Sequence, residues 1–387
     1  MTEAVSLADE FPQDGELIYL NHAGVAPWPQ RSARAVAAFA EANAARGAED
    51  YAQWLQREAQ LRERLARLVD AASTDDIALI PNTSEGLSLI AYGVDWKPGD
   101  NVVINSEEFP SNRIVWESLA ASHGVEIRDV DITAAEEPEA ALIEALDGRT
   151  RLLPVSAVQY ASGLRMDLAR LGQACRANGT LFCVDAIQEL GTRPMSARAI
   201  GADFLIADGH KWLLGPEGLG VLYVAPAARD TLALHRYGWH MVEAVGDYAR
   251  KDWAPAGNAR RFEAGSPNSL SIHALEASLS LIEEVGMTTI EHRILDLSAH
   301  LIEQLERLRG VQPVTPAAEA RRAGIVTARL DISPEAVTEV YRQLRQRRIL
   351  TAARGGGIRF SPHFYQDKAC LDAALAELDA LVSRQRT

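Results

Sequence analysis

The chain changes texture twice. Between residues 30 and 70 the apolar side chains recur at mostly helical spacing. The alanine-rich RSARAVAAFAEANAARG leads into YAQWLQREAQLRERLARLV, where Trp54, Leu55, Leu61, Leu65 and Leu68 mark a helical face. From residue 77 short apolar runs take over: DIALIP, NVVINS, VEIRDVD, RLLPVSAVQ, TLFCVDA, DFLIADG and GLGVLYV. Helices are expected near 84–93, 111–122, 136–146 and 166–178. Strands apolar at successive positions are covered on both faces, so the alternation predicts an α/β fold with a large, mostly parallel sheet. Near residue 263 the pattern changes again. Two long amphipathic helices, 269–284 and 288–308, precede GIVTARLDI, a helix at 334–346, GGGIRFSP and a last helix at 367–383. The expected division is an N-terminal arm and substrate-side segment over 1–30, a large domain over 31–262, and a smaller C-terminal α+β domain with its connecting helices over 263–387.

In an open parallel sheet, ligands collect at the carboxyl ends of the strands. The polar residues of this chain gather at those ends: Asn82, Thr83, Ser84 and Glu85 after IALIP, Glu107, Glu108 and Phe109 after VVIN, Gln159 after VSAV, Asp185 and Gln188 after LFCV, and Asp208, His210 and Lys211 after DFLI. A lysine that follows an apolar strand is either brought to the surface by a bend or kept for chemistry, because burying its ammonium is costly. The NTSEG stretch satisfies a helix capping box, and a helix start of that kind is equally an anion site. An acid beside a phosphate cradle and a semi-buried lysine fits pyridoxal 5'-phosphate. In that reading Lys211 forms the imine, Asp185 keeps the pyridine nitrogen protonated, and Thr83 and Ser84 hold the phosphate.

Composition narrows the remaining classes. The 387 residues are 47% hydrophobic, which supports a large core. With 39 Lys+Arg against 53 Asp+Glu, the net charge of -14 disfavours nucleic acid and anionic membrane as partners. Cys175, Cys183 and Cys370 have no metal-site or paired-CxxC spacing, and no metal is expected. GPEGLG, Gly215 to Gly220, lacks a nucleotide-binding spacing and reads as a turn between adjacent strands. MTEAVSLADEFPQDGE carries neither a basic segment nor an apolar one, and no run suits a membrane span, so a soluble cytoplasmic protein is expected.

Taken in order, IYLNHAGVAPWP, PNTSEGLSLIAYG, SEEFPSNRIVW, VDAIQELG, ADGHKWLLGPEGLGVLYV, RRFEAGSPN and GIRFSPHFY resemble the class V aminotransferase superfamily of fold-type I PLP-dependent enzymes, which contains the cysteine desulfurases, kynureninases and isopenicillin N epimerase. The resemblance spans nearly the whole chain. It implies Lys211 as the Schiff-base lysine with His210 as its polar neighbour near the phosphate, Asp185 as the pyridine-nitrogen acid, and Gln188 as the donor to the ring oxygen. It also implies Thr83 and Ser84 at the phosphate and Phe109 stacked on the cofactor ring. Arg359 would take the substrate α-carboxylate, with Asn21 and His22 as substrate-side contacts, a purely structural or capping role for His22 being nearly as open. Ser266 would reach the phosphate of a neighbouring subunit's cofactor, so a homodimer is expected.

Two departures bear on the reaction. RRILTAARGGGIRF, leading into Arg359, has no cysteine to attack substrate sulfur, and Asp208 stands where several relatives carry serine or threonine. Lys211, Asp185 and Phe109 are the expected catalytic set. The expected activity is aminotransferase-like chemistry on a small amino acid, with β-elimination or C–S cleavage and epimerisation as alternatives. A non-catalytic metabolite-binding protein on the same fold is the alternative of a different class.

Overall fold

A computed structural model describes residues 6–133 and 135–386. Its centre is a seven-stranded sheet in the order Ile77–Ile80, Gly220–Val224, Phe204–Asp208, Leu181–Asp185, Thr150–Ser156, Asn101–Asn105 and Glu126–Val130. Gly220–Val224 runs antiparallel to both neighbours, and the other neighbouring pairs are parallel. The α/β architecture with a smaller C-terminal sheet-and-helix unit is the one the apolar runs predict.

Side chains alternate between the two faces of these strands. Val155, Val184, Leu205, Ala207 and Val221 pack into one core, while Leu152, Cys183, Phe204, Ile206 and Leu222 pack into the other. Both sets are buried, which is why the strands read as unbroken apolar runs. The edge strand Glu126–Val130 has one partner and keeps Glu126 and Asp129 exposed. The turn into Gly220 brings two backbones together: a Cβ there would lie 2.5 Å from the Ala207 carbonyl oxygen, so glycine is required by space.

The stretch from 30 to 70 is two helices, Gln30–Arg46 and Tyr51–Leu68. The second buries Leu61, Leu65 and Ala66, whereas Leu55, expected on the same face, is 50% exposed. The helix turns about 100° per residue, and the buried row runs through Glu58, Leu61 and Leu65 rather than through Leu55. Helix Ser269–Val285 packs on both of these helices and shares the core of the large sheet through Ile272, Leu275 and Leu279. The cores divide along the next helix, Met287–Arg307. Its Ile290 and Ile294 join the large core, and Leu297, Leu301 and Leu305 join the small one.

The small unit is an antiparallel sheet in the order Ala352–Arg354, Gly357–Phe360, Val326–Leu330, Val311–Pro313, packed with helices Pro334–Gln346 and Lys368–Gln385. The N-terminal segment is tied to it: Ile18 and Tyr19 pair in parallel with Ile349 and Leu350, and Asn21 bridges Ser361. That connection carries residues 23–25 to the mouth of the large sheet. Among the described residues no helix is long and apolar enough to cross a membrane.

Candidate active site

Asp185 and Asp208 end adjacent parallel strands, and Ser156 ends the strand on the other side of Asp185. Above these ends lies a cavity of about 390 Å³. Nine residues expected at the site line it: Thr83, Ser84, Phe109, Asp185, Gln188, Asp208, His210, Lys211 and Arg359. The N-terminal segment closes one wall with Ala23, Gly24 and Val25. The volume is in the range of small-molecule sites.

Lys211 is half-buried on the turn after Phe204–Asp208. Burial pulls its amine down from 10.5 to about 8 against the opposing pull of Asp185, and Arg359 and Arg354 lower it further. Its Nζ stands 5.7 Å from the centre of the Phe109 ring. Burial pushes Asp185 up to about 6, countered by the Ile187 N–H, which donates to its Oδ1 at 3.1 Å, and by Lys211. Gln188 is held from both ends of its amide: Nε2 donates to the Ala23 carbonyl at 3.1 Å, and Oε1 accepts from Trp212 Nε1 at 2.9 Å.

The other end of the cavity is a helix start. Asn82 caps helix Thr83–Gly93 by accepting from the Glu85 N–H at 2.9 Å, and Ser84 donates to Ser111 Oγ at 2.8 Å. Several buried polar atoms here have no hydrogen-bond partner: Thr83 Oγ1, Asp208 Oδ1, His210 Nδ1 and, across the cavity, Arg359 Nε. Asp208 Oδ1 and His210 Nδ1 lie 3.1 Å apart but are not aligned for a hydrogen bond. Arg359, buried, donates from Nη1 to the Tyr160 carbonyl at 2.8 Å and is pulled down to about 10 by burial and by Arg354.

Ser111, Tyr160, Glu217 and Arg354 also line the cavity and have no role in the sequence reading. Tyr160 directly follows Gln159 and meets Phe109 edge to face, with ring centres 5.1 Å apart. Behind Phe109, the buried Glu108 accepts from Asn105 Nδ2 at 2.6 Å, Asn112 Nδ2 at 2.8 Å and Ser156 N–H at 2.8 Å, and it also accepts from the Ser156 hydroxyl. Burial still raises it to about 7. The carboxylate ties two strand ends to the Phe109 loop, a role that its place after an apolar strand hints at without defining.

Three expected site residues lie elsewhere. Asn21 sits behind the wall, against Gly24, where a Cβ would lie 2.7 Å from its Nδ2. His22, for which a substrate contact and a structural role are both open in the sequence, is fully buried outside the cavity, as the structural role requires. Its Nδ1 donates to the Ser361 carbonyl at 2.8 Å and its Nε2 accepts from Tyr365 at 2.6 Å, so both ring nitrogens are committed to packing. Ser266 is exposed and lines a separate cavity with Gly218, Arg236 and Asn268.

This arrangement has known counterparts. The aminotransferase class-V family model matches residues 18–357. A cysteine desulfurase of Yersinia pestis bv. Antiqua (strain Angola) is 31% identical over 72% of this chain and 68% of its own length. A probable cysteine desulfurase of Methanothermobacter thermautotrophicus is 32% identical over 76% and 74%. Among solved structures, the complex of the cystine C–S lyase C-DES with its product cysteine persulfide superposes with a TM-score of 0.88 at 25% identity, covering 95% of this chain and 99% of that one. These similarities support the alternative of elimination or C–S cleavage better than the expected aminotransferase-like chemistry. The chain belongs to the aminotransferase class-V family of fold-type I PLP enzymes and is related to the cysteine desulfurases and C–S lyases.

Proposed function

We propose that the protein is a PLP-dependent C–S lyase that eliminates a sulfur-bearing group from Cβ of a cysteine-derived amino acid. The observation that carries the reading is a lysine, an acid and an arginine facing one cavity with no cysteine on its lining. The partnerless atoms of Thr83, His210 and Asp208 suit a cofactor with a phosphate at the helix start and a polar ring beside it. Thr83 and Ser84 would hold the phosphate and Asp185 the ring nitrogen, with Gln188 at the ring oxygen and Phe109 over the ring face. When bound, PLP supplies an electron sink for the pair released at Cα.

The remaining work falls to the chain. Arg359 fixes the substrate α-carboxylate through a charged fork, its Nε having no internal partner. Lys211 Nζ takes the Cα proton, and an amine titrating near 8 has a usable neutral fraction at physiological pH. Asp185, raised to about 6 chiefly by burial, would be held as an anion by a cationic partner, which is the state a protonated ring nitrogen needs. A thiolate acceptor of sulfur is missing from the wall: Cys175 and Cys183 are fully buried, and Cys370 lies outside the cavity. In this reading Ser266, exposed and away from the cavity of its own chain, would serve the phosphate of a second copy in a homodimer.

The test is product analysis. Purified holoprotein incubated with cysteine, cystine and S-substituted cysteines should release pyruvate and ammonia in equal amounts. Alanine with a protein-bound persulfide would replace this reading with desulfuration, and pyridoxamine phosphate with a keto acid would replace it with transamination.

A further inference from the structure

The hairpin that carries Arg359 also carries Arg354. The strands Ala352–Arg354 and Gly357–Phe360 are antiparallel, with Ala352 opposite Arg359 and Arg354 opposite Gly357. Residues opposite one another share a face, and so do residues two apart on one strand. Arg354 and Arg359 therefore project from the same face as diagonal neighbours, and both line the cavity.

Their surroundings differ from those of most arginines in this chain. Arg62, Arg64, Arg165, Arg193 and Arg321 each meet a carboxylate within 3 Å. Among the described residues neither Arg354 nor Arg359 has a carboxylate within ion-pair distance. Arg354 donates only to the carbonyl of its own neighbour Ala353, at 2.8 Å, and is otherwise exposed at the hairpin tip. In a chain of net charge -14, two guanidinium groups without a carboxylate partner and Lys211 facing one cavity make a local site suited to an external anion. Asp185 and Asp208 on the floor and Glu217 on the wall are the acidic groups of the same cavity, and none of them pairs with either arginine.

We infer that Arg354 is a specificity-determining residue that binds a second anionic group, carried by the substrate beyond its sulfur. This rests on the C–S lyase reading, in which Arg359 takes the α-carboxylate. Diagonal neighbours on a hairpin have backbone positions about 7–8 Å apart, and Arg354 is exposed at the tip whereas Arg359 is buried, so Arg354 faces the outer end of a substrate whose α-carboxylate Arg359 takes. The substrate class is a cysteine whose sulfur bears a group ending in a carboxylate. A guanidinium exposed at the tip provides selection with modest affinity, because water screens much of its charge.

The test compares S-carboxymethyl-L-cysteine with its neutral isostere S-carboxamidomethyl-L-cysteine. On wild-type holoprotein, kcat/KM for pyruvate release should favour the anionic compound about two- to fivefold, the upper part of the range for a partly screened charged contact. R354M should bring that ratio close to one, and R354K should restore part of it. Calorimetric titration of the same two ligands into Lys211→Ala protein, where turnover is blocked, should give the same ordering of affinities. Pyruvate from neither compound, with the calorimetric preference intact, would sink the lyase reading and leave the anion site standing. A wild-type ratio near one in both measurements, or a ratio that R354M does not change, would overturn the site.

Discussion

Lys211 Nζ stands 5.7 Å over the ring of Phe109, and the same ring is met edge-on by Tyr160. A phenyl face can hold a flat cofactor ring but cannot give or take a proton. Phe109 is 40% exposed, so its ring is available to a ligand instead of being consumed by the core. F109A should weaken PLP binding about two- to tenfold, the range for one aromatic contact, with the fold unchanged. Fluorescence titration of apoprotein checks this, and an unaltered affinity would remove Phe109 from the cofactor site.

The lysine carries a cost to stability. Its folded value near 8 lies below its unfolded value of 10.5, so between these limits the unfolded chain binds more protons and stability rises with pH. Below about 8 the ammonium stays charged in a desolvated site. K211M should therefore make the apoprotein more stable at pH 7, by about 1–2 kcal/mol after allowing for its partial exposure, while abolishing turnover. Urea unfolding of the two apoproteins measures the difference, and a less stable K211M would mean that Asp185 compensates the charge in full.

Substitution of His22 acts in the opposite direction, although its pH dependence has the same sign. Burial drops its imidazole to about 4, and with Ser361 and Tyr365 occupying both nitrogens it is neutral in the fold. A folded value below the unfolded 6.5 means that its contribution is complete above about 6.5 and is lost as pH falls toward 4, a change of about 3 kcal/mol. H22A should lower stability by about 2–4 kcal/mol through the cavity and the lost hydrogen bonds, and KM should move less than twofold. A large rise in KM with little change in melting temperature would return His22 to the substrate.

How far the sequence reaches can be seen in these residues. Asp185 and Asp208 are legible because each closes a run of buried apolar residues, and Lys211 because it follows one of those strands on the next turn, where a polar side chain answers to a ligand or a partner. His22 is not, because the groups that define it, Ser361 and Tyr365, come from the far end of the chain and meet it only through the strand pairing at Ile18. Glu108 was visible as a strand-end acid, but its donors come from three separate segments. Arg354 becomes meaningful only once the register of the hairpin sets it beside Arg359. Leu55 departs from the helical face that apolar residues alone predict, because the buried row continues through Glu58, whose carboxylate is paired with Arg62.

The cysteines decide between release of sulfur by elimination and its capture on the protein. Capture requires an accessible thiolate near the substrate. Burial raises Cys175 to about 12 and Cys183 well above its usual value, so neither supplies one. Cys370 is half-buried in the first turn of helix Lys368–Gln385, is raised to about 11 by burial and by Asp367, and does not line the cavity. Protein with Cys175 and Cys183 changed to alanine and Cys370 to serine should keep its rate of pyruvate formation from cystine within about twofold, the change expected of surface and small-volume substitutions remote from the site. Mass spectrometry of the wild-type protein after turnover of L-cysteine, whose elimination releases sulfide and no persulfide, should find no added sulfur on any of the three peptides. Should the triple variant fold poorly, C370S alone gives the same answer, because Cys370 is the one thiol of the three with solvent access. Alanine as the product, together with a persulfide that C370S eliminates, would establish capture and displace elimination.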